Sequence, residues 1–293
     1  MLRRNRVIEL LKLDQPVYYV STSELTRENG RAMSNTWGDY IRLDLEHGPF
    51  DIRGVREFML GLREAGPTAS GHVCPPVIAE LPIDGTSESV MRANAWMVKQ
   101  LLAQGVHGLI LCHAESPKAV RAFVESARFA FHMAEENLGQ GRRGHGGAKE
   151  ASTIWGVTSE KYLNMADPWP LNPDGELLLG VKCENCRAAL NSSESIAVPG
   201  IAFAEWGAGD MCMSYGFKSK PSPLTEELAD VRKEIVDACS LNGVFFLCIA
   251  DEDNIIEHID AGARILRVHD PKIAEKGKAY TKRKAHYSTK FSK

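Results

Sequence analysis

Three short segments of this chain put ionisable side chains directly after apolar runs: Asp44-Leu45-Glu46-His47-Gly48-Pro49, Lys182-Cys183-Glu184 and Gly207-Ala208-Gly209-Asp210. A carboxylate three residues before a histidine can fix the imidazole in one tautomer, leaving the other ring nitrogen as a base near neutral pH. That gives His47 the proton transfer and Asp44 the orienting role; metal ligation through Glu46 and His47 is the alternative. Strict strand alternation would put Asp44 and His47 on opposite faces, so the dyad needs the chain to turn near Leu45, which Gly48-Pro49 favours. Glu184 and Asp210 are two carboxylates which, completed by water and substrate oxygens, suit a hard divalent cation with open positions. Mg2+ or Mn2+ fits best, with Co2+ or Zn2+ as further options. Such an ion polarises a carbonyl and steadies an enolate, the difficult intermediate in making or breaking a carbon–carbon bond beside a carbonyl. Glu80-Leu81-Pro82 and Cys112-His113 end two further apolar runs and add Glu80 and His113 to the candidate substrate contacts.

Groups so far apart in sequence meet only if a repeating fold brings them to one edge. Apolar, β-rich runs recur at Val17–Thr22, Tyr40–Leu45, Val77–Leu81, Gly108–Cys112, Leu177–Cys183, Ile201–Trp206, Val244–Ile249 and Arg264–Val268. Between them lie stretches with helical periodicity, including Val55–Glu64, Val90–Ala103, Pro117–Phe129, Leu224–Cys239 and Glu252–Ala261. Eight such units in roughly 250 residues predict a (β/α)8 TIM barrel, an α/β fold whose chemistry collects at the C-terminal ends of the strands. The whole chain, 1–293, reads as one barrel domain with an amphipathic N-terminal helix and a basic C-terminal tail from about 272 onward. Glu184 and Asp210 then end neighbouring strands. The stretch from Asn137 to Asp174 is too rich in glycine and proline for one helix and is expected to form a wall of the active site. Trp155, Tyr162, Trp206, Tyr215 and His113 are expected to line a pocket at the mouth.

The composition excludes several classes. With 44% hydrophobic and 25% charged residues the chain is an ordinary globular one. It has neither the run of about 18 apolar residues of a membrane span nor the uninterrupted apolar core of a signal peptide, so a cytoplasmic location is expected. A net charge of -3 gives no footing for nucleic acid. Seven scattered cysteines do not form a disulfide framework, and Cys183-x-x-Cys186 has no second pair to complete a zinc site. Gly144-x-Gly146-Gly147 does not sit between a strand and a helix, as a dinucleotide loop would.

The strand-end motifs, in this order from about Tyr40 to Val268, resemble the HpcH/HpaI aldolases, class II pyruvate-type enzymes of the phosphoenolpyruvate/pyruvate barrel superfamily. LDLEHGP is similar to the family's D-x-EH-x-P segment, GVKCEN stands where the family has its Q-I-E-T metal strand, and WGAGDMCMSYG matches G-P-x-D-L-x-x-x-x-G. Arg143-Gly144 resembles the R-G loop that precedes the metal strand. The resemblance implies an Asp44/His47 dyad and metal on Glu184 and Asp210; Arg143, Lys182, Trp206 and Ala208, together with Glu80 and His113, are the expected substrate contacts. It also implies a homo-oligomer, commonly a hexamer with exchanged C-terminal helices, acting on a small molecule. Three positions depart from the family. Glu80 stands for an arginine, Lys182 for a glutamine and Ala208 for a proline. Reversing a charge beside the reacting centre points to a donor other than pyruvate, an aromatic compound among the options, with Lys182 supplying positive charge to Glu80 or to the substrate. The expected reaction is a retro-aldol cleavage that releases an aldehyde; a metal-dependent decarboxylase and a metabolite-binding barrel without catalysis are the alternatives.

Overall fold

A computed structural model of the chain describes residues 2–283. Its strands are β1 (Val17–Thr22), β2 (Tyr40–Asp44), β3 (Val77–Asp84), β4 (Gly108–Cys112), β5 (Pro168–Trp169), β6 (Leu177–Cys183), β7 (Phe203–Trp206), β8 (Phe245–Ile249) and β9 (Ala263–Arg267). All pair in parallel in the order β4-β3-β2-β1-β9-β8-β7-β6, and β4 pairs with β6 to close the ring. The (β/α)8 barrel is therefore formed, and the two-residue β5 is an addition on the edge of β6 at Leu177 and Leu178. Parallel strands covered on both faces read as continuous apolar runs, which explains why they stood out in the sequence.

The two faces of each strand serve two cores. Outward residues such as Ile41, Leu43, Val77, Ala79, Leu109, Val181 and Ala204 pack against the helices. Inward residues at the starts of the strands, including Tyr40, Ile78, Ile110, Leu178, Phe203 and Ile265, close on Val7, Ile8, Leu10 and Leu11. These four belong to helix Arg6–Lys12, which starts at an Asn5 cap and seals the barrel floor. Helices Glu88–Ala103 and Glu226–Asn242 begin at Ser87 and Thr225, whose hydroxyls accept from Val90 N–H and Leu228 N–H.

Two expectations change. The basic segment from 272 is not a tail throughout: Pro271–Tyr280 is a helix with Ile273, Ala274 and Gly277 buried, because an apolar stripe runs between its lysines. The lysines at 284, 290 and 293 lie outside the described residues. The irregular stretch forms helices Ala148–Trp155 and Ser159–Met165, and it packs away from the mouth. Trp155 Nε1 donates to Gly105 O, Tyr162 OH donates to Leu102 O, and Arg142 N–H donates to Glu125 O. Those acceptors sit at or just beyond helix ends that return to the strand starts, so this segment wraps the end of the barrel opposite the catalytic side.

Candidate active site at the strand ends

Four of the inward positions carry charge: Arg42 on β2, Glu80 on β3, Lys182 on β6 and Glu205 on β7, each at most 5% exposed. Burying charges this deeply is costly unless they pair, and they do. Arg42 donates through Nε (2.8 Å) and through Nη2 to Glu80 Oε2, and through Nη1 to Tyr19 OH at 3.0 Å. Lys182 Nζ lies 2.7 Å from Glu46 Oε2, 2.8 Å from Glu184 Oε2 and 3.2 Å from Glu80 Oε1. Burial disfavours its ammonium, but the surrounding Cys112, Glu184, Glu80 and Glu205 outweigh this and hold its pKa far above the ordinary lysine value. Lys182 is thus a permanent cation under the mouth. Glu205 is pushed the other way. Its burial, with Glu80 and Glu184 adding to it, lifts the carboxyl to about 7 against the pull of Arg42 and Lys182.

The dyad assembles because β2 stops at Asp44 and the chain bends there. His47 Nδ1 lies 3.1 Å from both Asp44 oxygens, and Asp44 Oδ1 also accepts the His47 backbone N–H at 3.0 Å. With its side chain 62% exposed, the imidazole faces the open mouth. Partial burial works against its protonation, but the hydrogen bond and charge of Asp44, with Glu46 behind, raise its pKa above the ordinary value. Glu184 is fully buried: Oε1 accepts His113 N–H at 3.0 Å and Oε2 faces Lys182. Its carboxyl is raised by burial and by Glu46, against Lys182 and that N–H.

Among the described residues, three groups of His, Cys, Asp or Glu bring ligand atoms within 4.8 Å of one another: Asp44–His47–Glu80, Glu46–Glu80–Cys112 and Glu46–His113–Glu184. Asp210 belongs to none of them; it lies half-buried on the short helix Ala208–Ser214, which begins at the end of β7 beside Glu184. Gly207 allows this approach, since a Cβ there would lie 2.6 Å from Glu184 Oε2.

The structure therefore gathers Asp44, His47, Glu80, His113, Lys182 and Glu184 at one end of the barrel, with Ala208 and Asp210 at its rim. Arg143 is elsewhere, stacked 4.3 Å over Phe129 and donating to Tyr162 OH at 2.6 Å. Trp206 is one residue out of phase with the inward Glu205 and packs into the helical layer near Arg232. Of the five residues expected to line a mouth pocket, only His113 touches the carboxylate cluster; Tyr215 lines an outer groove with Leu190 and Glu226. Arg42, Glu205 and Asn185 are not among the residues expected from the sequence, where Glu46 enters only as an alternative ligand. A charge in the middle of a strand that is apolar on both faces was the available signal for Arg42 and Glu205.

No family model matches the chain. It is 24% identical over 238 residues to a hydroxypyruvate/pyruvate aldolase of Roseobacter denitrificans, covering 80% of this chain and 79% of that protein. A second one, from Delftia acidovorans, is 22% identical across 88% of this chain and 83% of its own length. The barrel superposes on an HpcH/HpaI aldolase/citrate lyase family protein of Burkholderia cenocepacia with a TM-score of 0.71 at 20% identity, over 95% of this chain and 97% of that one. The chain is thus similar in sequence to hydroxypyruvate/pyruvate aldolases, and it shares its fold with an HpcH/HpaI aldolase/citrate lyase family protein. A related fold, at a TM-score of 0.53, is the citrate lyase β subunit of M. tuberculosis, which was solved with oxaloacetate and magnesium. Among the described residues, no helix is long and apolar enough to cross a membrane.

Proposed function

We propose that this barrel is a divalent-metal-dependent aldolase, a carbon–carbon lyase that cleaves a small β-hydroxycarbonyl compound and releases an aldehyde. The observation that carries the reading is the Asp44-held His47 beside the Glu46–His113–Glu184 group, on a barrel whose relatives are named hydroxypyruvate/pyruvate aldolases. His47 Nδ1 is committed to Asp44, so Nε2 is the atom that takes the proton from the substrate hydroxyl. As the carbon–carbon bond breaks, its electron pair passes into the enolate of the carbonyl fragment. The imidazolium then returns the proton to the enolate carbon. Lys182 and Arg42 offset part of the carboxylate charge beneath the site and so lessen its repulsion of the enolate.

The residues present fit a metal. Glu46, Glu80, Glu184 and Glu205 set four carboxyl groups against only two buried cations, Arg42 and Lys182, and hard oxygen donors dominate. Glu184 and Asp210 would hold Mg2+ or Mn2+, and Glu46 is close enough to Glu184 to join them. When bound, the ion supplies Lewis-acid stabilisation of a negative substrate oxygen. Support for a donor other than pyruvate is now narrower, because Arg42 neutralises Glu80 from the neighbouring strand. An aromatic substrate would have to be met by rim residues, since Trp155, Tyr162 and Trp206 lie elsewhere. The proposal takes the chain as one domain in a homo-oligomer, a hexamer by family likeness, working in the cytoplasm.

The decisive assay loads the purified protein with Mn2+ and follows aldehyde release from β-hydroxycarbonyl compounds, with carbon dioxide measured alongside. Glu184→Gln is expected to abolish both Mn2+ retention and aldehyde release; a variant that kept both would remove Glu184 from the site. Gly207→Ala provides a milder check. The added methyl group crowds Glu184, so Mn2+ affinity, read by electron paramagnetic resonance, is expected to weaken about 10–100-fold, as for other changes just outside a ligand shell.

A further inference from the structure

His113 and His47 flank the same cluster, but their ring nitrogens meet opposite partners. His47 Nδ1 faces only carboxylate oxygens, which makes it the protonated nitrogen and leaves Nε2 with a lone pair. His113 Nδ1 instead lies 3.1 Å from the amide nitrogen of Asn185. That amide cannot be reversed without loss. Its Oδ1 accepts Ala188 N–H at 2.9 Å as the cap of helix Cys186–Leu190, and its Nδ2 donates to Glu115 Oε1 at 2.9 Å. Arg187 Nε holds the other Glu115 oxygen, also at 2.9 Å. A proton on His113 Nδ1 would confront the Asn185 N–H group, so Nδ1 accepts and Nε2 carries the hydrogen. Glu184 Oε1, 3.9 Å from Nδ1, is out of hydrogen-bond reach and is occupied by the His113 backbone N–H. His113 Nε2–H points toward the mouth, 4.0 Å from Glu46 Oε1, from a residue with left-handed backbone (φ 43°) at the end of β4. Such placement of a non-glycine residue clusters at functional sites.

We propose that His113 is a catalytic residue, a neutral hydrogen-bond donor through Nε2–H to the substrate carbonyl oxygen that becomes the enolate oxygen, and that Asn185 is the positioning residue that fixes its tautomer. The proposal rests on the retro-aldol reading above. His47 accepts and returns the proton, while His113 transfers none and stabilises charge only as it develops.

The test uses the full-length protein labelled with 15N-histidine, with the His113 signals assigned through His113→Gln. Long-range 1H–15N spectra are expected to show an unprotonated Nδ1 and a protonated Nε2 at His113, the reverse of His47. Oxalate, a planar mimic of a pyruvate-type enolate, is expected to shift the His113 Nε2 resonance. Asn185→Asp keeps the helix cap but replaces the donor by an acceptor; combined with Glu115→Gln to remove the facing carboxylate, it is expected to swap the tautomer. In that variant kcat falls by about 10²–10³-fold with KM little changed, the loss that follows removal of one oxyanion donor. His113→Gln, whose amide also donates, retains more turnover than His113→Ala. A protonated Nδ1 in the unmodified protein overturns the proposal, as does a swapped tautomer with undiminished kcat. If no β-hydroxycarbonyl compound yields an aldehyde, the retro-aldol reading fails by itself. The tautomer and the oxalate response then still decide whether His113 is a fixed donor.

Discussion

Replacing His47 by alanine is expected to lower kcat by about 10²–10⁴-fold, the range associated with loss of a positioned acid–base group. The side chain is exposed and belongs to neither core, so the variant should fold and bind Mn2+ as before. The companion change, Asp44→Asn, acts through pH. His47 works as a base only when neutral, and Asp44 raises its pKa, so the rate falls on acidification earlier than an unassisted histidine would dictate. Removing that carboxylate moves the acid limb of the kcat profile to lower pH. It also lowers the plateau, because an amide no longer demands a proton on Nδ1. Full turnover in His47→Ala would refute the proton-transfer assignment outright.

Lys182→Met should be more damaging, because it strikes stability and activity together. Its ammonium stands within 3.2 Å of carboxylate oxygens from Glu46, Glu80 and Glu184, the last two fully buried. Removing one partner from a buried ionic cluster costs about 3–5 kcal/mol, since the charges left behind must be protonated or rehydrated. Chemical denaturation at neutral pH is expected to show a loss of that order, and aldehyde release should disappear even when Mn2+ is in excess. Part of the stability returns at low pH, where the orphaned carboxylates are neutral. Lys182→Arg tests geometry at constant charge, because a planar guanidinium cannot take the place of a compact ammonium among three carboxylates. A methionine variant as stable as the parent would mean that these acids are already protonated in the native protein.

The barrel was legible because strands such as Leu177–Cys183 are apolar on both faces and recur with the spacing of βα units. The dyad was legible too, once Gly48-Pro49 was taken to end the strand before alternation could part Asp44 from His47. The side on which an insert packs was not. Glycine and proline between Asn137 and Asp174 mark an irregular path, but Leu102 O, Gly105 O and Glu125 O decide where it runs, and these are tertiary partners. Trp206 differs from expectation by a single residue of strand phase, with Glu205 facing inward instead. The meeting of Lys182 with Glu46 and Glu80 depends on the stagger of β2, β3 and β6 around a closed ring. Periodicity within any one strand does not contain that stagger.

The helical plug formed by Val7, Ile8, Leu10 and Leu11 has a bearing on turnover. With the interior packed solid down to that plug, reactant and both fragments share a single doorway, and the fragment held deepest must leave last. Inhibition by the enolate-derived product should then be competitive with substrate, whereas the aldehyde, departing first, should inhibit in a different pattern.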